Sequence, residues 1–334
     1  MEAKKTQYFV ALFVLMMVLF VTSYSQIATA QTITFSSLKF GGFLQQQFIM
    51  DETPGAAERF SIHRARLGVT GSVTDNIRVN VIGGYVEPPD RTPRLVNAFI
   101  DFDIHPLFQL RTGQFLAPFG IESPEVIIFN PAIERTTAIL RLNPYAMFRD
   151  IGVQVGGKNS FLNYKIALVN GKGANQTEEF DPKDVLGRIG ITPVEHLEFG
   201  VSAHFGQYQP DMNSDHHESR TRLGADISYT GDPVYFRAEY IVREDDLADS
   251  GSREMNGWYL LGAYKFTEKI QAIARFESFD PETSMDENEY TGVLIGANYY
   301  FVGNTRLSLN YEFRDDKLNA DLGNMLTVQM QVAL

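Results

Sequence analysis

Arginine is the residue type whose placement in this sequence first suggests a chemistry. Arg64, Arg66, Arg111, Arg188, Arg220, Arg222, Arg237 and Arg275 all fall on the polar positions of segments in which apolar and polar residues alternate. A guanidinium stays charged across the physiological pH range and presents paired N–H donors that match phosphate and carboxylate oxygens. A wall carrying several of them forms a ladder for small oxyanions. For each arginine the competing reading is a salt bridge to a wall or loop carboxylate such as Asp226, Glu239 or Glu277. Further basic residues share the polar faces, among them Lys39, Arg78, Lys165, Arg243, Lys265, Arg306 and Arg314, against the acids Asp101, Asp103, Glu198, Asp226, Glu239, Glu277 and Glu312. The inner-face candidates are therefore basic although the whole chain carries a formal charge of −12, so the excess acid is expected in the loops.

Other chemistries find little support. Cysteine is absent, which excludes disulfides, thiolate metal sites and cysteine nucleophiles. His216 and His217, with Asp211 and Asp215 nearby, resemble a metal set, but neighbouring residues on an extended polar loop point apart and a solvated tip is the simpler reading. Neither His63 nor His204 lies in a nucleophile-elbow context, and the NGKG at 170–173 lacks the following Ser or Thr and the helix of a phosphate loop. The expectation is a protein that is not an enzyme and uses no metal or cofactor. The acidic balance also opposes a nucleic-acid partner, since counterion release needs a basic surface.

The elements that must hold the arginines are strands. Of the 334 residues, 12% are aromatic, with 25 Phe and 15 Tyr beside 27 Gly, a composition that favours sheet. Lys4 and Lys5 precede an apolar run from Tyr8 to Val21 that ends in Ala28-Thr29-Ala30, which predicts a signal peptide over 1–30 cleaved after Ala30 and a mature domain over 31–334. From residue 37 onwards the hydrophobic period is two. Alternating segments start near Leu38, Phe60, Ile77, Arg94, Leu107, Ile151, Phe161, Val185, Leu197, Ser219, Val234, Trp258, Lys269, Tyr290, Thr305 and Leu326.

Their connections alternate in length. Tight turns at 74–76, 105–106, 158–160, 193–195, 231–232, 267–268 and 302–304 interleave with longer polar stretches at 51–58, 87–93, 116–150, 171–184, 208–218, 244–254, 280–289 and 315–323. That asymmetry predicts an all-β, transmembrane, antiparallel up-and-down β-barrel of about 16 strands, with short turns on the periplasmic side and longer loops outside. A soluble β-sandwich is the competing fold. The apolar parity, including Leu67, Val69, Val96, Ile100, Phe199, Val201, Phe205, Tyr240, Val293 and Ile295, carries no charged residue, as a lipid-facing surface requires. Gln46 and His63 sit on this parity as misfits.

Four ordered segments then become recognisable: FSIHRARLGVTGSV at 60–73, RTGQFLAPFGIESPE at 111–125, RDIGVQVGG at 149–157 and NGKGANQTEEFDPKDVLGRIGITP at 170–193. Together with weaker matches at 257–266 and 274–281, the chain resembles the phosphate-selective porin O and P family. The resemblance implies a sixteen-stranded outer-membrane barrel, usually a homotrimer, whose arginine-lined lumen and inward-folded third loop favour anions such as phosphate. The third loop is 116–150, the longest connection found from the residues themselves, and its Val126, Ile127, Ile128, Phe129, Ile139 and Leu140 are apolar for a tip meant to stand in water. Where the family's second strand typically opens with adjacent arginines, this chain has His63 before Arg64 and Arg66, and an unperturbed histidine is mostly neutral at pH 7.

The expected function is an outer-membrane diffusion channel for small hydrophilic solutes, biased towards anions and selective for phosphate or polyphosphate through the eight arginines. Its partners would be outer-membrane lipid and small anionic solutes. The competing function is a non-conducting barrel acting as a structural or adhesin-like surface protein.

Overall fold

Sixteen strands pair with their sequence neighbours, and the last closes on the first. The computed structural model describes residues 37–85, 93–143, 145–176, 183–208, 218–247 and 251–334, so the expected signal peptide and the His216-His217 pair lie outside the described residues. The strands are β1 (Ser37–Asp51), β2 (Arg59–Thr74), β3 (Ile77–Tyr85), β4 (Pro93–His105), β5 (Phe108–Leu116), β6 (Arg149–Lys158), β7 (Leu162–Val169), β8 (Asp184–Val194), β9 (Leu197–Tyr208), β10 (Glu218–Tyr229), β11 (Val234–Leu247), β12 (Gly251–Lys265), β13 (Ile270–Asp280), β14 (Tyr290–Val302), β15 (Thr305–Asp316) and β16 (Met325–Ala333). Every ladder is antiparallel, and β1 pairs with both β2 and β16. Closure leaves no unpaired edge, which a sheet in hydrocarbon cannot tolerate because nothing there replaces a missing backbone hydrogen bond.

The outer face explains why these strands form. Phe60, Leu67, Val201, Phe205, Leu223 and Ile295 are each more than half exposed, and comparable side chains occur on most of the strands. In water such a surface would be an aggregation site, whereas in a bilayer it is the contact surface. Aromatic pairs stand near both ends of the wall. Tyr264–Phe266 and Tyr299–Phe301 lie 5.0 and 5.1 Å apart towards the turn end, and Phe48–Phe60 and Tyr311–Phe313 lie 4.9 Å apart towards the loop end. Such amphipathic rings are suited to the headgroup level.

Two bulges correct the simple parity count. Gln46 pairs with Ile62 but Gln45 pairs with Arg64, so the extra residue, His63, turns inward and is nearly buried. A second irregularity between Ile82 and Gly83 does the same to Val96, which is 1% exposed and faces no lipid. The connection expected at 244–254 is also shorter than its polarity suggests. Arg243 to Leu247 and Gly251 to Glu254 continue the β11–β12 ladder.

The buried apolar cluster lies inside the cylinder. It joins Phe115, Ala117, Phe119, Ala132, Ala138, Ile139, Leu142 and Tyr145 to Leu186, Ile241, Met255, Tyr259, Leu261, Ile273 and Leu294 of the wall. The first group comes almost entirely from the long segment between β5 and β6, residues 117–148, hereafter L3. Its apolar content is thereby accounted for: the loop folds inward and packs on the wall.

Candidate functional site

L3 descends through the lumen and climbs back. Near its deepest point the Ile128 carbonyl accepts from Gln331 Nε2 at 3.2 Å, Asn130 O from Arg306 Nη2 at 2.6 Å and Pro131 O from Asn298 Nδ2 at 2.9 Å. These wall residues belong to the turn-side halves of β16, β15 and β14. The chain then rises into a short helix, α1 (Thr137–Leu142), capped by Thr136 Oγ1 accepting from Ile139 N–H at 3.3 Å. Ala138, Ile139 and Leu142 are buried, with Ala138 and Leu142 packed on the wall at Gly257, where a Cβ would stand 2.7 Å from that of Ala138. Glu277 Oε2 accepts from Thr137 N–H at 2.7 Å and ties the helix start to β13.

An internal clasp keeps the loop folded. The buried Glu122 carboxylate accepts from Asn130 Nδ2 and Thr136 Oγ1, both at 2.9 Å. The return limb is held by a second network. Tyr145 Oη donates to Asp184 Oδ2 at 2.6 Å and lies 2.8 Å from His204 Nε2, while Arg222 Nε donates to His204 Nδ1 at 3.1 Å. Buried amides line the seam where β1 meets β16. Gln45 and Gln47 of β1 donate to Gln331 and Gln329 of β16 at 2.7 and 2.9 Å.

The eight arginines lie on the inner face, mostly with partners. Arg64 Nη2 donates to Glu134 Oε2 at 2.8 Å and Nη1 to Gln45 Oε1 at 3.0 Å. Arg275 Nη1 reaches the Glu134 carbonyl at 2.7 Å, and its Nη2 stands 3.2 Å from Glu277 and 3.4 Å from Glu312. Arg64 and Arg275 thus meet around one loop residue. Arg237 forms a two-point pair with Glu125, 2.9 Å on each arm. Arg111 does the same with Asp101 at 2.6 and 2.9 Å while stacking 3.9 Å over the Phe99 ring. Arg188 bridges Asp226 and Glu198, with closest approaches of 2.5 and 2.6 Å, and Arg220 contacts Asp245 at 3.1 Å. Arg222 is buried over Phe119, 4.2 Å from the ring, and Arg66 lies 5.3 Å from Phe43.

Several residues at the constriction escape a reading by strand parity. Glu122, Glu125 and Glu134 carry loop acid into the lumen, because the loop that bears them folds inward. His63 Nε2 contacts Glu134 as well, through the bulge. Among the described residues, Arg135, Arg149, Arg222 and Arg306 form no carboxylate ion pair. Arg135 donates to the carbonyls of Glu122 and Glu125 at 3.2 and 2.5 Å, and Arg149 to Asn97 Oδ1 and Met147 O at 2.8 and 2.6 Å. Arg141, in the last turn of α1, is exposed and has no hydrogen bond or ion pair among the described residues. A carbonyl or imidazole partner holds a guanidinium in place without cancelling its charge.

A model of the family described as phosphate-selective porin O and P matches residues 40–220 and 211–334. The chain belongs to this family. It is an outer-membrane porin, and the family and fold are those of a channel rather than an enzyme. No curated protein matches the chain. Among solved structures it is similar to the anion-selective porin from Comamonas acidovorans, at 13% identity and a TM-score of 0.69 over 89% of this chain and 99% of that one. It is also similar to OmpT, an outer membrane protein of Vibrio cholerae, in its trimer form, at 12% identity and a TM-score of 0.68 over 89% and 99%. OmpF of Salmonella typhi in complex with daunomycin aligns at 12% identity and a TM-score of 0.66 over 89% and 97%. At these identities the likeness shows the shared barrel.

Proposed function

We propose that this porin is a passive diffusion channel biased towards small anions, phosphate among them, and that it works as a homotrimer exported by a cleaved signal peptide. The observation that carries the anion bias is the set of cations on and beside L3 with no carboxylate partner: Arg135, Arg141 and Arg149. A solute squeezed past the loop loses part of its hydration in a medium of reduced dielectric, so these charges act on it more strongly than they would on an open surface. Arg64, Arg66, Arg111, Arg188, Arg220, Arg222, Arg237 and Arg275 supply further N–H donors along the wall. Those paired with carboxylates add less net field, and an anion passing them exchanges partners rather than meeting a bare charge. Several moderate rungs favour conduction, because permeation needs release as well as capture. The trimer rests on the family and on the trimer form of the similar OmpT.

Planar-bilayer recording tests this reading. In a KCl gradient the reversal potential is expected on the chloride side of zero, and millimolar phosphate is expected to reduce the chloride current. A reversal potential on the potassium side refutes the bias, and unaltered chloride current refutes the phosphate interaction. The competing reading, a closed structural or adhesin-like barrel, draws on how fully L3 is pinned from Arg237 to Gln331, and it predicts no conductance steps.

A further inference from the structure

Two large apolar side chains of L3 do not share in the burial of the rest. Phe129 is 54% exposed and Leu140 is 50% exposed, although Ile127 and Ile139 beside them are 2% and 1% exposed. L3 lies inside a closed wall and is bonded to it on many sides, so what these two side chains face is the water of the pore. Their places along the path differ. Phe129 precedes Asn130, which is bonded to Arg306 near the turn end of β15, whereas Leu140 projects from α1, which packs at Gly257 in the loop-side half of β12. Leu140 is followed by Arg141, the exposed cation without a partner among the described residues.

Apolar side chains standing in water at a constriction gain free energy when a hydrocarbon surface covers them. The wall is closed, so a lipid bilayer cannot reach them, and among the described residues no segment covers them, which leaves a small solute in transit as the cover. The neighbouring positive charge sets the sign of that solute. The rest of the lumen repeats the pairing of cation and ring: Arg111 over Phe99 at 3.9 Å, Arg222 over Phe119 at 4.2 Å and Arg135 over Phe148 at 4.4 Å. A compact inorganic oxyanion uses only the cationic half of such a surface.

We infer that the channel's preferred solutes are small organic carboxylates with a hydrocarbon or aromatic body, the carboxylate served by Arg141 and the body passing over Leu140 and then Phe129. This inference rests on the anion-channel reading and narrows its solute class.

The test is block of single-channel chloride current by acetate, hexanoate, benzoate and phosphate on the full chain in planar bilayers. Hexanoate and benzoate are expected to half-block at concentrations at least about fivefold below acetate and below phosphate, because each methylene covered adds to affinity. In Leu140→Ser with Phe129→Ser the hexanoate-to-acetate ratio is expected to fall towards one, and in Phe129→Leu it is retained. Arg141→Gln is expected to weaken acetate and hexanoate alike. Equal block by hexanoate and acetate in the wild-type channel, stronger block by phosphate, or a ratio unmoved in the double variant overturns the inference. An anion-selective channel with equal block leaves the parent reading standing, while cation selectivity or absent conductance removes both.

Discussion

Arg64 on the second strand and Glu134 on L3 are joined by a charge-assisted hydrogen bond of 2.8 Å, with the arginine side chain only 5% exposed. This contact links the wall to the loop that narrows the pore, and it also consumes one of the cations that the sequence presents as available to solutes. Glu134→Gln removes the negative charge and keeps the shape. The expected result is a shift of the reversal potential further towards chloride, with a stability loss of about 2 kcal/mol from leaving Arg64 without its counter-charge. A KCl-gradient recording checks the first effect and urea titration of the refolded barrel the second.

Gly257 is where α1 touches the wall. A side chain there collides first with Ala138, whose Cβ would stand 2.7 Å away. The Leu142 side chain and the Ser278 carbonyl, each 3.2 Å from the same point, limit relaxation, so Gly257→Leu is expected to push α1 towards the pore axis and reduce single-channel conductance by roughly half. An unchanged conductance in a correctly folded barrel would show that α1 does not border the conducting path.

Arg237 and Glu125 form the two-point pair that fastens the descending limb, with the arginine 5% exposed. Arg237→Gln leaves the Glu125 carboxylate partly buried without its cation, a change that costs about 3–5 kcal/mol when a buried pair is broken. The limb should then fluctuate, and the predicted signature is increased open-channel noise. Quiet openings indistinguishable from wild type would contradict a fastening role.

Strand placement is legible because lipid imposes one rule on every outward position, and Val201 shows its force. It is 61% exposed at mid-length in β9. Val201→Arg is expected to cost about 2–4 kcal/mol of folding free energy in bilayers. Refolding into vesicles, followed by the urea midpoint, gives the value.

The same rule marks where sequence reading stops. Alternation located all sixteen strands, including the weak β6 and β8, because a residue facing acyl chains must be apolar whatever its neighbours are. It missed the start of β12, where Arg253 and Glu254 lie in a paired segment read as loop, since alternation fades in charge-rich sequence. It mistook the directions of His63 and Val96 because each bulge adds a residue that parity counting assumes away. The constriction was least legible. A loop has no fixed period, so nothing in the spacing of Glu122, Glu125, Glu134 or Arg141 says which of them meets a wall arginine and which stands free.

His63 carries the consequence of one such bulge. Turned inward, its ring contacts the same Glu134 carboxylate that Arg64 already holds. A histidine supplies a full charge there only when protonated, whereas an arginine supplies it across the working pH range. With one carboxylate shared between two guanidiniums, His63→Arg leaves one positive charge in excess at the constriction. The expected outcome is stronger chloride selectivity at pH 9, where an imidazole is neutral even beside a carboxylate, and a smaller change in selectivity between pH 5 and pH 9 than wild type shows. Reversal potentials measured at both pH values decide it. Equal pH dependence in the two proteins would mean that the group responsible lies elsewhere in the pore.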